Sequence, residues 1–115
     1  MKYLVGQGDA FVNGKNYKLR ILPLFEEDLN EIIDYIAYHL KNPVAAENFL
    51  NAVEAAIYKR LPNAESFEPY HSIRERKYPY YRIIVKNFII FYVVIDNVME
   101  ERRIVYSRSN CKEQI

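Results

Sequence analysis

The dipeptide Asn42-Pro43 separates two helical patterns and leaves no room for a linker. Before it, over residues 24–40, Phe25, Leu29, Ile32, Ile33, Ile36, Ala37 and Leu40 fall on one helical stripe. Their spacing alternates between three or four residues and one. After it, over residues 43–61, Ala46, Phe49, Leu50, Val53, Ala56, Ile57 and Leu61 do the same. Asparagine caps a helix through its side-chain oxygen, and proline suits the first helical position because its missing N–H is not needed there. Pro23 is placed to start the first helix and Pro62 to end the second. Glu26, Glu27 and Asp28 fall in the first turn and Lys41 at the end, each on the favourable side of the helix dipole. Two helices joined this tightly must fold back as an antiparallel pair.

The flanks read as strands. Residues 17–21 alternate Tyr17, Leu19, Ile21 with Lys18, Arg20, a strand with one buried face that Pro23 follows. Residues 62–72 have no period and read as a loop. Residues 73–78 alternate in charge. Residues 80–85 and 88–95 are strands joined by Lys86-Asn87, and the second is apolar on both faces, as a central strand is. Asp96-Asn97 makes the next turn, and residues 102–106 form the last strand. Residues 1–16 hold all three glycines, and Asn13-Gly14 suits a two-residue hairpin turn. The order β-α-α-β-β-β predicts an α+β domain with a helical hairpin on one face of an antiparallel sheet. The first strand is expected to join an edge beside one of the later ones.

Composition narrows the function classes. A chain of 115 residues, 50% hydrophobic and with three glycines, is one globular domain. Its longest apolar run is strand-sized, far short of the roughly 20 residues of a membrane helix, and residues 1–10 do not read as a signal peptide. A single cysteine, Cys111, leaves no internal disulfide, and the cytoplasm is the expected compartment. His39 and His71 belong to no metal-ligand pattern, so neither a metal nor a cofactor is expected. His39, near a helix C-terminus, reads as a surface dipole partner. The net charge of +1 hides an asymmetry: +3 over residues 1–22, −6 over 23–70 and +4 over 71–110. Such a distribution hints at a polyanion face. Glutamate-rich helix surfaces and basic strand edges would produce it equally well.

The basic residues of the C-terminal half are Arg74, Arg76, Lys77, Arg82, Lys86, Arg102, Arg103 and Arg108. Tyr78, Tyr80, Tyr81 and Tyr106 are interleaved with them, and six of the 11 tyrosines lie in residues 70–106. Aromatic rings can stack bases while cations hold phosphates. Such a set can also cleave RNA without a metal. A 2′-OH attacks the adjacent phosphate, a base accepts its proton, cations hold the phosphorane, and an acid protonates the leaving oxygen. The plainer alternative is that these side chains decorate a sheet surface and pair with Glu75, Glu100 and Glu101.

Four stretches carry a resemblance. They are YKLRILPLFEEDLNEIIDYIAYHL, NPVAAENFLNAVEAAIYKRL, YYRIIVKNFIIFYVVID and RRIVYSRSN. In combination they resemble the RelE/ParE toxins of bacterial type II toxin–antitoxin modules, also called plasmid-stabilisation proteins. The resemblance covers residues 17–110, leaving residues 1–16 as an N-terminal extension and 111–115 as a tail. It implies a βααβββ toxin fold and a cognate antitoxin. It also implies one of two ways of inhibiting growth. RelE-like members are endoribonucleases, mRNA interferases that cut mRNA on the ribosome. ParE-like members poison DNA gyrase.

Matched to the nuclease pattern, Arg82, Lys86, Arg108 and Tyr81 are the catalytic candidates. Arg82 and Arg108 would clamp phosphate, and Lys86 or Tyr81 would move protons. Arg74, Arg76, Lys77 and Tyr106 are candidates for RNA or antitoxin binding. The set is incomplete. Ile89 stands where the pattern has an arginine, and no Tyr or His follows Arg108. The leading expectation is metal-independent mRNA cleavage. The alternatives are gyrase inhibition and a non-catalytic antitoxin-binding module.

Overall fold

Residues 88–95 can be apolar on both faces only if something packs against each side of their strand, and the fold supplies two different covers. The structure is a computed structural model that describes residues 9–12, 15–70 and 77–108. The chain runs through strand β1 (Asp9–Val12), strand β2 (Lys15–Ile21) and helix α1 (Pro23–Asp34), which a π-helical turn (Tyr35–His39) continues. Helix α2 (Pro43–Arg60) follows and ends in a 3₁₀ turn (Leu61–Asn63). Strands β3 (Tyr81–Val85), β4 (Phe88–Ile95) and β5 (Val98–Tyr106) complete it. All five strands form one sheet in the order β1-β2-β5-β4-β3. With the helical pair on one face, this is the α+β, βααβββ architecture of the RelE/ParE toxin fold, with β1 added in front.

The sheet is mixed rather than antiparallel throughout. β2 runs parallel to β5, Lys18 opposite Val98 through Ile21 opposite Glu101, while the other three ladders are antiparallel. The helical pair is long enough to carry the crossover that a parallel neighbour needs, and the meander then brings β5 back beside β2 on the same heading.

On the helical face, Phe25, Leu29 and Ile33 from α1 and Phe49, Val53 and Ile57 from α2 pack against Leu19, Ile83, Ile90, Tyr92 and Met99. Burying each such large side chain contributes about 1.5–3 kcal/mol. On the outer face, Ile89, Phe91, Val93 and Val105 are covered by Tyr70, Tyr78 and Tyr80. The Tyr70 ring meets Phe91 edge-on at 5.2 Å, and its N–H donates to the Tyr80 carbonyl at 2.6 Å. Tyr70, Tyr78 and Tyr80 thus serve as a lid, Tyr80 buried and the other two half-buried.

A second set of bonds pegs the segment after α2 to the sheet. The Tyr92 hydroxyl donates to the Ala64 carbonyl at 2.7 Å, and the Arg60 guanidinium donates to the Tyr92 oxygen at 3.0 Å. Arg60 also lies 3.6 Å from the Phe67 ring centroid. The Tyr17 hydroxyl donates to Glu65 Oε1 at 2.9 Å. Burial pushes the Tyr17 and Tyr92 hydroxyls up to about 12 each, so both stay protonated donors at neutral pH.

The β2–β5 ladder stops at Ile21 and Glu101, with the Leu22 N–H donating to the Glu101 carbonyl at 3.1 Å as the chain turns into α1. Beyond that point α1 replaces β2 as the neighbour of β5. Asp28 supplies what the missing strand would have: its Oδ2 accepts the Ile104 N–H at 3.1 Å. The same carboxylate takes Arg103 in a two-pronged pair at 2.7 and 3.0 Å. That hydrogen bonding holds the Arg103 pKa above its usual value. Arg102 is the extra residue of a bulge, since Phe91 opposes Arg103 and Tyr92 opposes Glu101.

Glu101 lies on the helical side with 0% exposure, and neither carboxylate oxygen has a hydrogen-bond partner. Burial raises its pKa well above the ordinary carboxylate value, and the charge of Arg60 only partly opposes this.

Two outcomes follow from these contacts. Asp28→Ala strands a buried N–H and an arginine together, and it should lower stability by about 3 kcal/mol, read from the urea midpoint. For Glu101 the folded chain holds a proton that the unfolded chain releases above about pH 4.3. Stability is therefore lost as pH rises from there towards the raised folded value. Glu101→Gln should flatten that slope, so the difference between variant and parent should shift in the variant's favour as pH rises above about 4.3. Parallel slopes would show that Glu101 stays ionised.

Candidate functional site

The last turns of α1 do not close as an α-helix. The Leu40 N–H reaches back five residues to the Tyr35 carbonyl at 3.0 Å, and the Asn42 N–H reaches Ile36 at 3.1 Å. The first of these is the wider π-type bond, and the second, spanning six residues, closes the helix end around Lys41. Lys41 then takes a left-handed conformation at φ 53°, and the Asn42 side chain accepts the Ala45 N–H at 3.1 Å to start α2. The widened turn turns Tyr35 and Leu40 outward, each about half exposed. Tyr35 stacks on His39 at 4.9 Å, which gives the histidine an aromatic neighbour besides its place at the helix end.

Facing this end of the helical pair is the β3–β4 turn. Lys86 sits in it at φ 53°, the left-handed region that costs a residue with a side chain about 1 kcal/mol. The Ser107 N–H donates to the Asn87 carbonyl at 2.8 Å and holds the end of β5 beside the turn. Phe88 packs edge-on against Phe49 at 5.0 Å and against Tyr106 at 5.6 Å. Between these walls lies a groove of about 910 Å³, lined chiefly by Ile32, Tyr35, Ile36, Leu40, Phe49 and Phe88, with Lys86 and Tyr106 at its rim. It is an apolar trough whose lining also carries one cation, Lys86, and one acid, Glu31, and it is suited to receiving an apolar side chain.

The structure separates the residues proposed from sequence. Lys86 and Tyr106 share the groove, and Arg108 follows two residues after Tyr106, exposed. Tyr81 is 8% exposed and stacks on Tyr92 at 5.3 Å, inside the core of the helical face. Arg82 lies on the other side of the sheet, its guanidinium 5.2 Å from the Tyr70 ring centroid. Strand alternation forces this division, because adjacent residues of β3 point to opposite faces. Lys77 is exposed, 5.5 Å from the Tyr78 ring centroid. Arg74 and Arg76 fall outside the described residues.

Some partners were not visible in the sequence. Glu100 binds Arg20 at 3.1 Å and Arg102 at 2.8 Å, so two of the basic residues share one carboxylate on the outer face. Arg103 is taken by Asp28, 75 positions away. Tyr35 and Leu40 entered the sequence pattern only as members of a helix. The signal available was the pair of tyrosines, Tyr35 and Tyr38, off its apolar stripe. Among the described residues no group of His, Cys, Asp or Glu could hold a metal ion. No described helix is long and apolar enough to cross a membrane.

Comparison with known proteins adds one finding. Residues 19–110 match a family model described as the ParE toxin of the type II toxin–antitoxin system, parDE. No match of significance is found among curated proteins. The matched span starts inside β2 and runs past the end of β5, so it takes in the helical pair, the groove and the meander. The chain therefore belongs to the ParE toxin family of type II toxin–antitoxin systems.

Proposed function

We propose that the chain is the toxin of a two-protein module, held inactive in the cytoplasm by a cognate antitoxin, and that it arrests growth by inhibiting DNA gyrase. The observation that carries this reading is the scattering of the catalytic candidates. Metal-free RNA cleavage needs a base, a phosphate-holding cation and an acid within hydrogen-bond reach of one phosphate. Tyr81 is in the core, Arg82 is on the outer face, and Lys86 is at the groove. Arg103 is committed to Asp28, and Arg102 to Glu100. The family description, that of ParE toxins, supports the same reading.

A second reading, mRNA cleavage on the ribosome, draws on one observation. Lys86 and Tyr106 share a groove that Arg108 follows closely in the chain. They would then be base, stacking partner and phosphate clamp. In that case the other candidates, Arg82, Arg74, Arg76 and Lys77, would serve substrate or antitoxin binding.

Induction of the chain alone separates the two. The expected outcome is growth arrest with a DNA-damage response, intact bulk mRNA, and loss of supercoiling by purified gyrase when the protein is added. Rapid mRNA cleavage that Lys86→Ala or Arg108→Ala reduces by about a hundredfold or more, the scale of a lost proton-transfer group, would overturn the gyrase reading. Absence of any arrest, alongside a stable antitoxin complex, would favour a non-catalytic binding module.

A further inference from the structure

The apolar wall of the groove continues past its rim. Tyr35, Leu40 and Tyr106 line it and are 53%, 54% and 41% exposed. Tyr38, in the same widened turn as Tyr35, is 76% exposed. Val44 is 67% exposed and lies one turn before Asn48, another lining residue, on the same side of α2. Five large apolar side chains thus open outward at one end of the helical pair. At 150–250 Å² for a whole aromatic side chain, they present about 500 Å². That is near the upper end for the largest apolar patch of a monomer, where such patches mark interaction sites. A stable interface needs about 800 Å² from each partner, a little over half of it apolar. The patch supplies that apolar share.

Shape and charge select the occupant. The groove is a hollow, and the reversal between the helices, with Tyr38 and Val44 on its flanks, is a projection beside it. The charges balance. Glu31 and Lys86 both line the groove and are exposed, and among the described residues neither side chain has a hydrogen bond or an ion pair. Lys41 at the reversal and Glu47 on α2 add one more exposed group of each sign. A partner of a single sign satisfies one member of each pair and repels the other. A second copy related by a twofold axis meets Glu31 with its Lys86 and Lys86 with its Glu31.

We propose that this end of the helical pair is a twofold interface between two copies of the chain. The reversal of each copy enters the groove of the other, and Tyr38 covers the floor that Ile36 and Phe88 leave half-buried. Glu31 and Lys86 pair across the axis twice. The dimer covers Lys86 and Tyr106, so it competes with any partner that uses them. The inference goes beyond the proposed growth inhibition and holds whichever target the chain acts on.

The test is analytical ultracentrifugation of the whole purified chain over a wide range of concentration. A reversible shift from 13.7 kDa to twice that mass is expected. Leu40→Asp sets an unpaired charge in the interface and should weaken association about a hundredfold. Glu31→Lys and Lys86→Glu each place two like pairs across the axis, and each should weaken it about tenfold. The double variant, Glu31→Lys with Lys86→Glu, restores both pairs at unchanged net charge and should recover the parent's affinity. An equal mixture of the two single variants should form a mixed dimer. All three positions are exposed, and circular dichroism checks each fold. Should Leu40→Asp fail to fold, the charge exchange still decides. The proposal is overturned by a monomer at every concentration, by a dimer that folded Leu40→Asp leaves intact, or by failure of the double variant or the mixture to recover. A monomer whose Tyr35 and Phe88 resonances move on addition of decanoate would overturn it in favour of a small apolar ligand.

Discussion

The Asp28 carboxylate is the contact on which the arrangement of layers depends. β5 has a strand on both sides for only the first half of its length, because β2 stops at Ile21 and the chain turns into α1. A strand edge left under a helix would hold unbonded N–H groups in a dry interior, at a cost of about 1–3 kcal/mol each. Asp28 accepts the Ile104 N–H and is itself neutralised by Arg103, so neither a polar edge nor a lone charge is buried. The consequence is geometric. α1 is locked to β5 at a fixed height, α2 follows through the three-residue reversal at residues 40–42, and the groove at its far end acquires a fixed width.

The second constraint is that β4 is covered twice. Helices cover one face and a tyrosine lid covers the other, so β4 offers no side chain to solvent over most of its length. Function is thereby pushed to the margins of the sheet: the turn at Lys86 and Asn87, the end of β5, and the outer edge of β3. Tyr81 and Arg82 show why sequence adjacency misleads there. Neighbours in a strand belong to different faces, and a site that needs both must lie at an edge where the two faces meet.

Local features were legible in the sequence because local chemistry decides them. Asn42 and Pro43 set the boundary between helices, and the bounds of β4 follow from where the apolar run meets Lys86-Asn87 and Asp96-Asn97. The features that were not legible depend on contacts distant in sequence. The parallel pairing of β2 with β5 joins positions about 80 residues apart. The start of β5 at Val98, not residue 102, was hidden by Glu100 and Glu101, two adjacent acids that interrupt the apolar alternation. One is bonded to two arginines and the other is buried without a partner. A carboxylate inside a core carries no sequence signature, since its burial is decided by what packs over it. The widened turn at Tyr35–His39 is similar. Residues 24–40 keep a helical period throughout, and only the bond from Leu40 to Tyr35 shows the extra residue.

The charge asymmetry takes on a different meaning once pairing is known. Over residues 71–110 the formal excess is +4, but the arginines of β5 are each held against a carboxylate. Arg102 shares Glu100 with Arg20, and Arg103 is bound to Asp28. No described acid pairs with Lys77, Arg82, Lys86 or Arg108, and all four are exposed. Arg82 and Lys86 flank the open edge of β3, Lys86 also rims the groove, and Arg108 follows the end of β5 that is tied to the same turn. The positive field is thus concentrated at one end and one edge of the sheet rather than spread over a face. A flat polyanion such as a nucleic-acid duplex needs a row of cations across a surface.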